Sequence, residues 1–363
     1  MKSSVVASRR HSGDIAAAIA LVLILVTACG QAGSPGSATL APVPDPTRMA
    51  TAPATPTSTT VTTPRPTTTP RPSGPMPVAL GSRLRATIPG IAQPCAMSAT
   101  ATDVWVTGNG PSTLARIDPA TNAIVGTVNM IGSPCGIAIG PDGRVWVAIL
   151  TLGQVVAVDP ATMKVVATVD GLGANLWDLK SGYGSIWVVD RTSKDLLRID
   201  PVKAVVSGHA AIGPGGSGLA LADGAVWVVD DLDGTIKRVD PTTMSVTETA
   251  KLAGGASWFA ADDDTLAVAN RLDGSITLID PVTGAAGASI GGGRGPLDGT
   301  ILGGRAYIPD GLARTLLEVN LATGSIAVAD TLEGAKNPFV AEIAFGDIWV
   351  LDYGGQRIWR IAP

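Results

Sequence analysis

Seven residues of this 363-residue chain pair a reactive or adhesive side chain with a place where the local pattern elsewhere carries something smaller or neutral. Asp178, Asp298 and Glu342 are carboxylates that could share a divalent cation, Trp177 and Trp258 replace the small residues expected there, and Lys180 and Arg294 are likewise unmatched in the repeat. These seven are the candidate ligand-binding residues. A Ser-His-Asp triad or a histidine-bound metal is excluded there, because the two histidines are His11, near the N-terminus, and His209, in an outer strand. Asp230, Asp231 and Asp233 lack the ligand number and spacing of a calcium loop. Asp262-Asp263-Asp264 reads as solvated charge in a turn, and no glycine-rich loop follows a strand and opens a helix to cradle phosphate.

The elements that must position these residues come from a repeat. Trp105, Trp146, Trp187, Trp227, Ala267, Tyr307 and Trp349 recur at spacings of 41, 41, 40, 40, 40 and 42. Between them recurs a turn, Asp118-Pro119, Asp159-Pro160, Asp200-Pro201, Asp240-Pro241, Asp280-Pro281 and, degenerately, Asn320-Leu321. Proline presets the turn and aspartate bonds nearby backbone N–H groups. A period of about 40 residues holding four short apolar or alternating runs predicts propeller blades rather than a helical solenoid. Strand A is a run such as Gly136 to Ile139, strand B carries the aromatic anchor, strand C ends in the Asp turn, and strand D is an outer Val-rich run. The anchors are expected to pack between blades.

The last copy stops after strand C, at Ile358-Trp359-Arg360-Ile361, while Arg83 to Ile88 reads as a strand D without a blade. Joining the two predicts an all-β fold: a seven-bladed β-propeller of four-stranded blades over residues 79–363, closed by an N-terminal strand that completes the last blade. Cys95 and Cys135 then stand at equivalent entries to neighbouring innermost strands, Pro94-Cys95-Ala96-Met97 and Pro134-Cys135-Gly136-Ile137, within reach of a disulfide. The loops from D to A and from B to C share the funnel face. On it, Asp190, Asp230, Asn270, Asp310 and Asp352 fall at a single repeat position, which points to turn capping, whereas the seven candidates have no such counterparts.

Upstream, Lys2, Arg9 and Arg10 precede an apolar run from Ile15 to Val26, and Val26-Thr27-Ala28-Cys29 resembles the signal of a bacterial lipoprotein. Residues 1–28 are expected to be removed, with Cys29 carrying a lipid anchor on the extracytoplasmic face of a bacterial membrane. The stretch from Gly30 to Val78 holds 12 Pro and 12 Thr in 49 residues and no aromatic residue, so residues 29–78 read as a lipidated cysteine plus an unfolded tether. At ~3.1 Å per residue this tether could reach on the order of 150 Å. A formal net charge of -4, with only 15% charged residues, gives no positive field for nucleic acid.

Ala115-Arg116-Ile117-Asp118-Pro119-Ala120-Thr121, continued through Gly132-Ser133-Pro134-Cys135-Gly136-Ile137 and Arg144-Val145-Trp146-Val147, resembles the YVTN-type propeller repeat and the virginiamycin B lyase and NHL-type propellers. The lyase resemblance implies a metal-dependent reaction with a funnel histidine as base and glutamates on Mg²⁺. Here that histidine is missing, and Glu342 is the only glutamate near the funnel. Lactonases of similar shape imply acidic and amide ligands to a divalent ion, which Asp178, Asp298 and Glu342 could supply. The sequence therefore favours a monomeric, membrane-anchored binding or scaffold module for a cell-envelope protein or glycan, without a catalytic residue or required cofactor. A divalent-cation-dependent lyase or lactonase-type hydrolase at the funnel is the alternative.

Overall fold

The computed structural model describes residues 74–252 and 255–363. Seven antiparallel sheets follow one another, each ordered A-B-C-D as the chain runs, and the seventh takes its strand D from the N-terminus. The innermost strands A of blades 1 to 7 are Pro94–Ala99, Pro134–Ile139, Leu176–Gly182, Gly216–Ala222, Ala256–Ala261, Thr300–Leu302 and Pro338–Ala344. The predicted seven-bladed, four-stranded, N-terminally closed ring is the observed fold. Among the described residues the only helical turn is the 3-10 segment Gly81–Arg83.

Each anchor side chain is buried against the next blade. Trp105 packs with Ile137, Val145 and Val147 of blade 2, Trp227 with Phe259, Leu266 and Val268 of blade 5, and Trp349 crosses the closure to Met97, Val104 and Val106 of blade 1. The apolar area that holds a blade together is thus the same area that holds it to its neighbour, and burial at ~25 cal/mol per Å² acts on the ring as a whole. The inner strands approach closely. A Cβ added to Gly136 would stand 3.0 Å from Leu179 Cβ, and one at Gly218 3.0 Å from Trp258 Cα.

Turn capping follows the repeat. The carboxylates of Asp159, Asp200, Asp240 and Asp280 each accept backbone N–H bonds two and three residues on. On the funnel face Asp190, Asp310 and Asp352 tie a B–C turn or the neighbouring D–A loop through several backbone N–H groups while fully buried.

Closure is made by Leu84–Pro89, which pairs antiparallel with Arg357–Ile361. A second N-terminal strand, Val78–Ala79, pairs parallel with Ser325–Thr331 of blade 6; two residues are too short a run for alternation to reveal. Arg83 sits between the two pairings. Its guanidinium donates to Asp330 at 2.6 Å, lies 3.3 Å from Glu318, and donates to the Ala362 carbonyl at 3.1 Å.

Candidate functional site

Strand A runs from the funnel mouth to the opposite face, so depth along the axis follows position in the strand. Register fixes the correspondence. Lys180 pairs with Trp187 and Glu342 with Trp349, so these two occupy the same slot in blades 3 and 7. Asp178 and Trp258 lie in strands A of blades 3 and 5, and Asp298 lies just before strand A of blade 6, bridged to Val340 of blade 7.

Two cavities occupy the axis. The upper one, about 190 Å³, is walled by Trp177, Trp258, Phe339 and Tyr353 on one side and by the Cys95–Cys135 disulfide and Leu150 on the other. The expected disulfide is present, with Cα atoms 5.1 Å apart. The aromatic side chains form an arc. Trp177 and Trp258 stack with centroids 6.4 Å apart, Phe339 meets Trp258 edge-on at 5.5 Å, and Tyr353 meets Phe339 at 6.4 Å. Arg191 lies over the Trp177 ring at 4.8 Å and is itself fixed by two hydrogen bonds to Asp231, at 2.8 and 3.2 Å. That clamp stiffens the Trp177 face and neutralises the guanidinium. Asn109 donates to the Tyr353 hydroxyl at 3.3 Å, and Asn337 completes the wall.

The lower cavity, about 480 Å³, is lined by the far ends of the A strands, with Lys180 and Glu342 on its wall. Their side chains lie 3.5 Å apart and keep 28% and 30% exposure. Asp178 and Asp298 are nearly inaccessible, at 8% and 9%. Asp178 accepts the N–H groups of Leu179 and of Leu219 in the next blade, both at 2.8 Å. One of its roles is therefore to join blades 3 and 4. Burial pushes the Asp298 carboxyl well above the ordinary carboxylate range; Lys180 pulls it back, and Asp178 and Glu342 push it further up. Burial likewise raises Asp178 and Glu342, against the pull of Lys180. Burial works to deprotonate Lys180, but Asp178, Glu342 and Asp298 outweigh it and hold the ammonium protonated.

The cation suggested by the lyase and lactonase resemblance fits poorly here. Both Asp178 oxygens are committed to backbone N–H groups, and the positive charge the carboxylates require is already supplied by Lys180. No group of three or more His, Cys, Asp or Glu among the described residues has an arrangement that could hold a metal ion. His209 lies on strand D of blade 3, 63% exposed and 3.6 Å from Asp195, away from both cavities.

Six of the seven candidates thus gather along the axis in two sets, Trp177 with Trp258 above and Asp178, Lys180, Asp298 and Glu342 below. Arg294 does not join them. It is exposed on the loop before strand A of blade 6, where its backbone N–H caps Asp310. Sequence reasoning missed Phe339, Tyr353, Asn109 and Asn337. The signal was there: Phe339 shares the slot of Cys95, Cys135 and Trp177, and Tyr353 and Asn109 share that of Arg191, directly after strand B.

Fold and axis define a seven-bladed β-propeller with an aromatic funnel above a charge cluster. The sequence matches no protein-family model and no curated protein. Among solved structures it is similar to virginiamycin B lyase from Staphylococcus aureus, with a TM-score of 0.69 and 14% identity over 77% of this chain and 98% of that one. It is also similar to a streptogramin B lyase, at 0.68 and 12% over 76% and 96%, and to Kuenenia stuttgartiensis hydrazine synthase, at 0.67 and 12% over 76% and 97%. Likeness at this identity, to proteins named for such different reactions, establishes the architecture and leaves the activity to the site.

Proposed function

We propose that this chain is an extracytoplasmic recognition module, tethered through Cys29 to a bacterial membrane, that takes part of a cell-envelope glycan or protein into the upper funnel. The observation that carries the reading is the arc Trp177, Trp258, Phe339 and Tyr353 around the upper cavity. Every anchor tryptophan is spent on packing between blades, so the two that leave the repeat and stack at the mouth are the ones free to receive a ligand. The Cys95–Cys135 disulfide supports an oxidising compartment. The signal segment, Cys29 and most of the Pro/Thr-rich tether lie outside the described residues. The lyase or lactonase alternative needs carboxylates free for a metal, and Lys180 removes that freedom.

The test is sedimentation of the full chain carrying Cys29→Ser, which stops acylation, with washed cell envelopes. Retention that falls at least roughly tenfold, about 1.4 kcal/mol, in Trp258→Ala is the expected result. Equal retention of both proteins would refute the funnel as the binding face.

A further inference from the structure

We infer that the upper cavity is a saccharide subsite, built for one neutral pyranose ring; this rests on the upper funnel being the binding face. The first argument is size. A dry cavity of ~150 Å³ takes benzene, and this one, about 190 Å³, takes a single six-membered ring with small substituents.

The second argument is charge. Among the described residues no carboxylate, lysine, arginine or histidine lines the upper cavity, and Arg191, over the Trp177 ring, is already neutralised by Asp231. A charged group entering here would be desolvated without a partner. A neutral ligand meets no such cost.

The third argument is the split between faces and edges. Trp177, Trp258, Phe339 and Tyr353 line the cavity with aromatic carbon, and a pyranose presents C–H groups on its faces and hydroxyls around its edge. At the rim, the Asn337 side-chain amide carries no hydrogen bond among the described residues, and Asn109 spends its amide N–H on Tyr353 while keeping its carbonyl oxygen unpaired. A plain hydrocarbon or phenyl ring would bury these groups unsatisfied. Hydroxyl or acetamido substituents would pair with them. A phenyl side chain of a peptide is thus the disfavoured occupant, though it has the same size.

The experiment is titration of the full chain with glucose, N-acetylglucosamine and N-acetyl-phenylalaninamide, followed by tryptophan fluorescence. Two of the eight tryptophans face this cavity and would report its filling. The expected result is a saturable change with at least one of the sugars, weakened roughly tenfold or more by both Trp258→Ala and Asn337→Ala. Asn337→Ala removes only a rim amide, so it keeps the test valid if Trp258→Ala fails to fold. Saturation by the phenylalanine amide alone, no response to either sugar, or a sugar response unchanged in both variants would overturn the inference. Envelope retention that still depends on Trp258 in those cases would leave the binding face standing and remove only the saccharide.

Discussion

At neutral pH Lys180 brings one positive charge to three carboxyls, Asp178, Asp298 and Glu342, and burial opposes ionising all of them. The folded state therefore binds protons more tightly at Asp298 than the unfolded chain does. A carboxyl with a raised folded pKa stabilises fully below the ordinary carboxylate range and loses that contribution as pH rises through its raised value. The melting temperature of the full chain is accordingly expected to fall between pH 5 and pH 8, and Asp298→Asn should remove at least about 2 °C of that fall, since 1 kcal/mol moves Tm by roughly 2–4 °C in domains of ~150–250 residues. A fall of equal size in the variant would show that Asp298 is not the group responsible. Lys180→Met withdraws the only cation and should cost about 3 kcal/mol in urea denaturation at pH 8, and less at pH 5, where protonation relieves the carboxyls. Lys180 and Glu342 were legible because the other copies carry Ser98, Ala138, Ala220, Ala260 and Thr300 in their slot, and Asp178 and Asp298 because theirs, two residues earlier, otherwise carries the uncharged Ala96, Gly136, Gly218, Trp258 and Val340. That Lys180 would neutralise the acids was not legible, because it depends on how deep in the ring each slot lies.

At the scale of the element, the start of each strand A decides what the funnel presents. Blades 1 and 2 present cysteines there, blade 3 Trp177 and blade 7 Phe339, while blade 4 presents Ser217, whose hydroxyl is used on the Ser257 carbonyl of blade 5 at 2.8 Å. The disulfide staples the first two blades and forms part of the cavity wall. Closing a loop with a sequence separation of 40 is worth about 4 kcal/mol in the chain-entropy model, so the double variant Cys95→Ser, Cys135→Ser should melt roughly 8–16 °C lower. A Tm unchanged by the double variant would contradict that role. Strands and turns were readable because period-two runs recur in all seven blades and the turn after strand C in six, five of them Asp-Pro, with little drift. Tyr353 was not singled out, although it shares the slot of Asn109 and Arg191, because that slot varies widely around the ring and only the closed ring shows which of its residues lean over the axis.

For the whole molecule, stability depends on joining the two ends. Leu84–Pro89 completes blade 7, and Arg83 ties blade 6 to the C-terminus through Asp330, Glu318 and the Ala362 carbonyl. Asp330 is nearly inaccessible and has Arg83 as its cation, whereas Glu318 also pairs with Arg305, so Arg83→Ala strands one buried carboxylate and should cost about 3 kcal/mol. Urea unfolding at pH 7 measures it, and a midpoint within error of wild type would mean the latch is held by the strand pairing alone. The missing strand D was legible by counting, since seven anchors left one blade a strand short; the clamp was not, because it joins residues more than 200 apart in sequence.

The central claim is that the aromatic funnel, and not the charge cluster beneath it, is where this ring works. It is tested most directly by thermal unfolding of the full chain with solubilised envelope fragments, with Ca²⁺ or Mg²⁺, and with EDTA, because a ligand of the native state raises Tm by mass action. The account predicts a rise with the fragments that disappears in Trp258→Ala, and no change with either cation or with EDTA. A rise of several degrees with a cation, lost in Asp298→Asn, would contradict it and return the lower cavity to the metal-dependent chemistry of the lyase and lactonase reading.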